Sequence, residues 1–335
     1  MPARLGGGGY VNVVFEVTMG TYLPPTTAGS VYVPIISENL MYTEDKYYSP
    51  QIRQQTIVSD VKPSFYHVEG DITMEADANF LPYFLHASRH TITKTGVADP
   101  WTYKYVPSQA GSASTGAGAT VAKTLSISVI RNGVGFGYAG CVVNTMEWTI
   151  EDGILRVTFG ILGLSEVTPG GLGTPTWVDP ELFGADASGV YVAASGIAPT
   201  FGAASLDFNG FTFNVNYNGE AQNRIRADRA ASYISFGETE ASYDTELDFI
   251  NKTEYDNFKA ATTRAVRLES LRGTQLFSTA TEAVQIDINR SAYDSYEVGL
   301  GGMGDLIMAN VNGRALGIAG GNPYSITVKG AKDIT

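Results

Sequence analysis

Two stretches of the chain place carboxylates at every second position. In HVEGDITMEAD (67–77), Glu69, Asp71, Glu75 and Asp77 share a side with Thr73, and Val68, Gly70, Ile72, Met74 and Ala76 occupy the other. In ETEASYDTELDF (238–249), Glu238, Glu240, Asp244, Glu246 and Asp248 oppose Ala241, Tyr243, Leu247 and Phe249. Strand side chains alternate between faces, so each stretch reads as a half-buried β-strand carrying a row of acid. Such a row could hold a metal, meet a sugar, supply the acid and base of glycoside hydrolysis, face bulk water, or repel a polyanion. Glycoside hydrolysis needs two carboxyls across a cleft. Here the acid runs along single strands without a nearby Trp or Tyr cluster, so no catalytic residue is assigned.

His86 and His90 stand four apart, a spacing zinc ligands use on a helix, and His67 offers a third imidazole. Two helical histidines are two ligands short of a structural site, and the glutamate of the metalloprotease motif is missing. They are expected as a solvated or interface pair, and no metal is assigned. GFGYAG (135–140) has the G-x-G-x-x-G spacing of a dinucleotide-binding turn. That turn requires its last glycine to open a helix toward the pyrophosphate, whereas VVNTMEWTI follows with strand period. These glycines are expected to let strands bend or backbones approach closely, and no cofactor is assigned. No G-x-S-x-G elbow or Cys-His arrangement stands out, so an enzyme is not expected.

The scaffold that must carry the acid is mainly β. Glycine is abundant (38 residues), and five hairpin-type pairs occur: Asn132-Gly133, Asp152-Gly153, Asn209-Gly210, Asn218-Gly219 and Asn312-Gly313. They suit a two-residue turn that needs positive φ at both central positions. At Asp152-Gly153 the register is explicit. Ile150 faces Leu155, Trp148 faces Val157 and Met146 faces Phe159, with Thr149/Arg156 and Glu147/Thr158 on the other side. Helices are few. Asn79 is placed to cap a short helix through NFLPYFLHASRH, with Pro82 in its first turn. Thr253 and Asp256 have capping-box spacing at the start of TEYDNFKAATTR.

Acidic strand, short helix and glycine-turned β stretch thus occur twice, from about residue 60 and again from about 235, which reads as a diverged duplication. The expected organisation is a first domain over 1–167 and a second over 205–335. Between them, residues 168–204 form a Pro/Gly-rich linker or surface excursion. Inside the first domain, SQAGSASTGAGATVAK (108–123) is too long for an ordinary hairpin loop.

A chain of 335 residues with 44% hydrophobic and 17% charged residues can build real cores, and two domains is the default for its length. The formal net charge of −12 excludes ordinary phosphate-backbone binding, which needs clustered Lys and Arg. Cys141 is the single cysteine, so no intrachain disulfide or thiolate cluster can form. The start, MPARLGGGGYVNVVFEV, lacks the apolar run of a signal peptide, and no stretch approaches the roughly 18 apolar residues of a membrane span. Folding in the cytoplasm is expected.

VYVPIISENLMYTEDKYYSPQIR (31–53), VEGDITMEAD, LPYFLHAS and FGYAGCVVNTMEWTIEDGILRVTFGILG (136–163), in that order, resemble the tail tube proteins of long-tailed bacteriophages. The resemblance is best over the first half; the second matches in its layout of strands and helix. It implies tandem tube-type β-sandwich or barrel domains, each with a flanking helix, whose strands join those of neighbours in a continuous inner barrel. Two domains per chain imply trimeric rings, stacked into a tube, with other tail proteins at the tube ends and genomic DNA passing through unbound. Glu69, Asp71, Glu75, Asp77, Glu240, Asp244, Glu246 and Asp248 are then candidates to line the lumen and keep a polyanion moving. The alternative is that they face outward for solubility, and the polar faces at 147–158 and 212–216 compete for the lumen. Ser108, Gly111, Ser114, Gly116, Gly118 and Lys123 mark a loop expected to order only against the next ring. The 19 tyrosines keep a second function in view, a β-sandwich module binding carbohydrate or a host surface. An outer-membrane barrel is disfavoured by the missing leader and by the ending at Thr335.

Overall fold

Hairpin chemistry sets the frame. Asn132 and Gly133 take positive φ (54° and 80°) and close Leu125–Arg131 onto Val134–Glu151, with Arg131 opposite Val134. Gly153 (φ 77°) closes the next hairpin, whose ladder pairs Ile150 with Leu155, Trp148 with Val157 and Met146 with Phe159, as the sequence predicts. The other pairs do different work. Asn209-Gly210 lies at a bulge, Asn218-Gly219 leads out of the sheet, and Asn312-Gly313 is inside a strand. At Gly313 an added Cβ would lie 2.5 Å from the Tyr243 ring, so glycine is there for close approach.

The computed structural model describes residues 9–334 except 52–56, 59, 98–99, 109–122, 152, 178–181, 185–187, 203–205, 226–227, 273–281 and 300–306. The first half contains β1 (Tyr10–Phe15), β2 (Val31–Val33), β3 (Ser37–Glu38), β4 (Met41–Tyr48), β5 (Val61–Glu75), α1 (Leu81–His86), β6 (His90–Thr95), β7 (Trp101–Pro107), β8 (Leu125–Arg131), β9 (Val134–Glu151), β10 (Ile154–Gly163) and β11 (Ser165–Val167). The second contains β12 (Ser188–Ala194), β13 (Phe208–Asn216), β14 (Glu220–Gln222), β15 (Tyr233–Ser235), β16 (Glu240–Asp248), α2 (Thr253–Lys259), β17 (Arg264–Leu271), β18 (Ala283–Val298), β19 (Met308–Ala315) and β20 (Tyr324–Ala331). The fold is mainly β and antiparallel, as expected.

One path is traced twice. From β5 the chain passes through α1, the added β6–β7 hairpin and β8 into the long β9 and returns on β10 beside β5; from β16 it passes through α2 and β17 into the long β18 and returns on β19 beside β16. The two paths are joined by β9–β13 pairing into one ladder, β4–β5–β10–β9–β13–β16–β19–β18. A second ladder, β12–β17–β18–β20–β7–β6, crosses between the halves through β20–β7. It shares the long β18 with the first, and Tyr324 of β20 packs edge-on against Phe213 of β13, with centroids 5.6 Å apart. One apolar cluster runs through both halves.

The segment 168–204 is more than a linker. Its β12 pairs along β17, and Phe183 is buried, its carbonyl accepting the Leu155 N–H. The helix starts also differ from expectation. Asp77, rather than Asn79, organises the turn before α1: its Oδ1 accepts the Asn79 N–H at 2.7 Å and its carbonyl those of Phe80 and Leu81. Thr253 is already helical, and Asn251 Oδ1 accepts its N–H at 2.9 Å. An Asx side chain two residues upstream reaches these N–H groups without helical backbone of its own.

Candidate functional site

Residues directly opposite in an antiparallel ladder share a face. One row across the first ladder reads Glu75, Arg156, Thr149, Thr212, Asp244, Asn312, Ser295. The next reads Thr73, Thr158, Glu147, Asn214, Ser242, Arg314. Between these two rows the opposite face reads Met74, Val157, Trp148, Phe213, Tyr243, Gly313, Tyr293 and belongs to the core. A single sheet face, polar along its whole width, therefore spans both halves.

Glu69, Asp71 and Glu75 from β5 and Glu240, Asp244, Glu246 and Asp248 from β16 all lie on it. So do the polar sides of the 147–158 hairpin and of 212–216. The sequence alone presents these as competitors; the register makes them one surface. Strand alternation could not reveal this, because it fixes the faces of each strand and not how distant strands align. Glu147 brings the acid of the 147–158 hairpin face, and Glu297 adds acid that the sequence did not single out, with Arg156 and Arg314 as basic interruptions.

Asp77 is the exception among the candidates. The strand ends at Glu75, and Asp77 is 1% exposed, folded into the turn before α1. Its place in the acidic alternation was set by sequence period, but the turn redirects its side chain. Glu238, too, precedes β16 rather than standing in it.

Several of the carboxylates are held by neutral partners. Thr43 Oγ1 donates to Glu69 at 2.9 Å, Asn209 Nδ2 to Glu246 at 2.7 Å, and Asn312 Nδ2 to Asp244. Thr73 and Thr158 hydroxyls bond across the ladder at 3.0 Å. Amide and hydroxyl donors position acid without cancelling its charge, so the face keeps its negative character.

Both helices lie on the apolar side. Phe84 of α1 stacks on Phe159 at 4.7 Å between centroids, and Phe258 of α2 stacks on Tyr296 at 6.4 Å. Every residue named in the two polar rows is half-buried or exposed and none is buried, so this face is open to solvent on the side away from the core.

The histidine pair is neither solvated nor helical as a pair. His86 ends α1 and His90 opens β6, and both are buried. Ser88 Oγ donates to Leu85 O at 2.6 Å, so the 2.6 Å contact between Ser88 Oγ and His90 Nδ1 is donated by the imidazole. Nε2 is then the acceptor in neutral His90, and the Tyr217 and Tyr324 hydroxyls approach it at 3.1 and 3.3 Å. Burial lowers the His90 pKa to about 3 and that of His86 to about 4, with Lys123 and Lys94 adding to the second. Sequence spacing pointed to a surface; the aromatic neighbours that bury the pair come from both halves.

Of the loop residues, Ser108 and Lys123 are the described ends, and Gly111, Ser114, Gly116 and Gly118 lie outside the described residues. The Ser108 N–H donates to Arg89 O and the Lys123 N–H to His86 O, so both roots are tied to the α1–β6 segment. No helix among the described residues is long and apolar enough to cross a membrane. No curated protein matches the chain. A family model described as phage tail tube protein matches residues 6–315, and the chain belongs to that family, with a structural place in the virion tail.

Proposed function

We propose that this member of the phage tail tube family assembles into rings of three, each chain supplying two tandem tube domains, and that stacked rings form the channel for genome delivery. The observation that carries the reading is the single solvent-exposed polar face spanning both halves, with both described helices and the core behind it. Curling such a sheet into a closed barrel leaves the helices outside and puts the polar, acid-rich face inside. A lumen of that kind repels phosphate and offers no basic cluster to grip it. The twice-traced strand path supports sixfold-like geometry from three chains, since a repeated heterologous contact closes a ring when its rotation allows. The role is structural rather than catalytic, exercised in the virion tail after assembly in the host cytoplasm, with other tail proteins at the tube ends.

Negative-stain micrographs and native mass spectrometry of the purified protein test this. Rings or tubes with three chains per ring are expected. Six full-length chains per ring would sink the duplicated-domain part. Dispersed monomers would sink the tube and favour a carbohydrate- or host-surface-binding module.

A further inference from the structure

Arg89 stands between α1 and β6 and is only 8% exposed. Its Nη1 donates to Gly237 O at 2.6 Å across the seam between the halves, while its buried Nε has no hydrogen-bond partner. No carboxylate among the described residues pairs with it. The segment 109–122, whose root Ser108 donates its N–H to Arg89 O, contains no Asp or Glu. Tyr217 and Tyr324 feel the guanidinium, but burial holds both phenols well above their ordinary pKa, so they stay neutral. A buried charge is costly unless it is paired. Among the described residues this one has no counter-ion.

The same side chain lines a cavity of about 660 Å³ between the halves. Pro107, Leu316, Ile318 and Pro323 give it apolar walls, and the exposed Glu238, Glu240 and Arg314 mark its mouth. Ligand sites of this size are mostly apolar with a few convergent polar groups. The apolar walls suit a ligand with a hydrocarbon body rather than a bare ion. The carboxylates at the mouth disfavour a multiply charged anion such as phosphate. A single carboxylate can meet the guanidinium through a charge-assisted hydrogen bond.

We propose that this cavity is a binding site for a small organic carboxylate, seated with its charge on Arg89 and its apolar body against Leu316, Ile318 and Pro323. The first half contributes the α1–β6 turn and the end of β7; the second contributes the approach to β16 and the β19–β20 connection. A bound carboxylate therefore locks the seam. Through the Ser108 bond to Arg89 O it also steadies the root of the 108–123 loop. The site lies within one chain and needs no neighbouring copy.

Thermal melts and calorimetric titration of the full chain test this, with sodium benzoate, sodium hexanoate and inorganic phosphate as probes and benzamide and matched sodium chloride as controls. The two organic carboxylates should raise the melting temperature saturably, as ligands of the folded state do, and titrate to a single site per chain. Benzamide and chloride should do neither. Arg89→Gln should remove the response. Because that change also breaks the bond to Gly237, Ala319→Trp serves as a second variant. It fills the cavity from an exposed position and keeps Arg89, so it should fold and still lose the response. Amide exchange at Ser108 should slow about tenfold or more with benzoate bound. Saturable stabilisation by phosphate and not by the organic carboxylates would overturn the ligand class. No saturable response to either carboxylate, or an equal response in Ala319→Trp or to benzamide, would overturn the site.

Discussion

His90 Nε2 lies 3.1 Å from the Tyr217 hydroxyl, a contact that ties the two halves of the chain across 127 residues. Tyr324 reaches the same nitrogen from β20, so one neutral imidazole holds the seam from both ladders.

Stability should therefore fall with acid. The folded pKa values of His90 and His86, about 3 and about 4, lie below the unfolded value of about 6.5. Unfolding takes up a proton at each histidine below pH 6.5, so their contribution is intact above that pH and is lost as pH drops toward 4. The slope is up to about 1.4 kcal/mol per pH unit per histidine. His90→Gln should cost about 1–3 kcal/mol at pH 8 through the disrupted buried network. It should also reduce the pH slope by about half, there being two such histidines. Urea unfolding at several pH values measures both, and an unchanged slope would remove His90 from the account.

Gly313→Ala should destabilise by about 1–3 kcal/mol, because the new methyl meets the Tyr243 ring in the core. The Tyr243 hydroxyl is among the atoms at 2.5 Å and also bonds Ser291 Oγ at 3.1 Å. In a double-mutant cycle with Tyr243→Phe, the two changes should cost less together than their sum. Strict additivity would mean that the clash is relieved elsewhere.

The hairpin at Gly153 was legible to the residue, because turn type fixes register and both faces of the pair are patterned. The acidic strands were legible as strands for the same reason. Their common face was not, since β5 reaches β16 only through β10, β9 and β13, and no local signal carries register across five strands. The same limit hid the burial of His86 and His90, whose aromatic partners Tyr105, Tyr217 and Tyr324 are remote in sequence. Asn-Gly pairs misled where tertiary packing used glycine for closeness, as at Gly313, instead of for a turn.

Residues 110–120 should matter for stacking and not for folding. Their roots are tied down by backbone bonds at Ser108 and Lys123, which lie outside the replaced stretch. Exchanging 110–120 for a short Gly-Ser link should leave the far-UV spectrum and melting nearly unchanged while abolishing long tubes in micrographs. Normal tubes from the shortened protein would make the segment a spacer.

Charge reversal tests the polar face itself. Carboxylates at alternate positions of a strand lie about 7 Å apart, so in water their mutual repulsion is only about 0.6 kcal/mol, and folding should tolerate either sign. Glu69, Asp71 and Glu75 changed together to Lys should still give tubes. So should Glu240, Asp244 and Glu246 changed together, and because the ladder puts both sets on one face the two variants should share a phenotype. If that face lines the channel, every ring presents lysine clusters to passing phosphates, and small attractions add along the tube. DNA release from virions should then be slow or incomplete in both variants and should recover as salt rises, since counterion-linked contacts weaken. On an outer surface, screening over about 8 Å at physiological salt would hide the change. Asp77→Lys should behave differently, destabilising the fold because that side chain is buried in the turn before α1. Unimpaired release from both triple variants would move this face out of the lumen, and impaired release from one alone would break the common face.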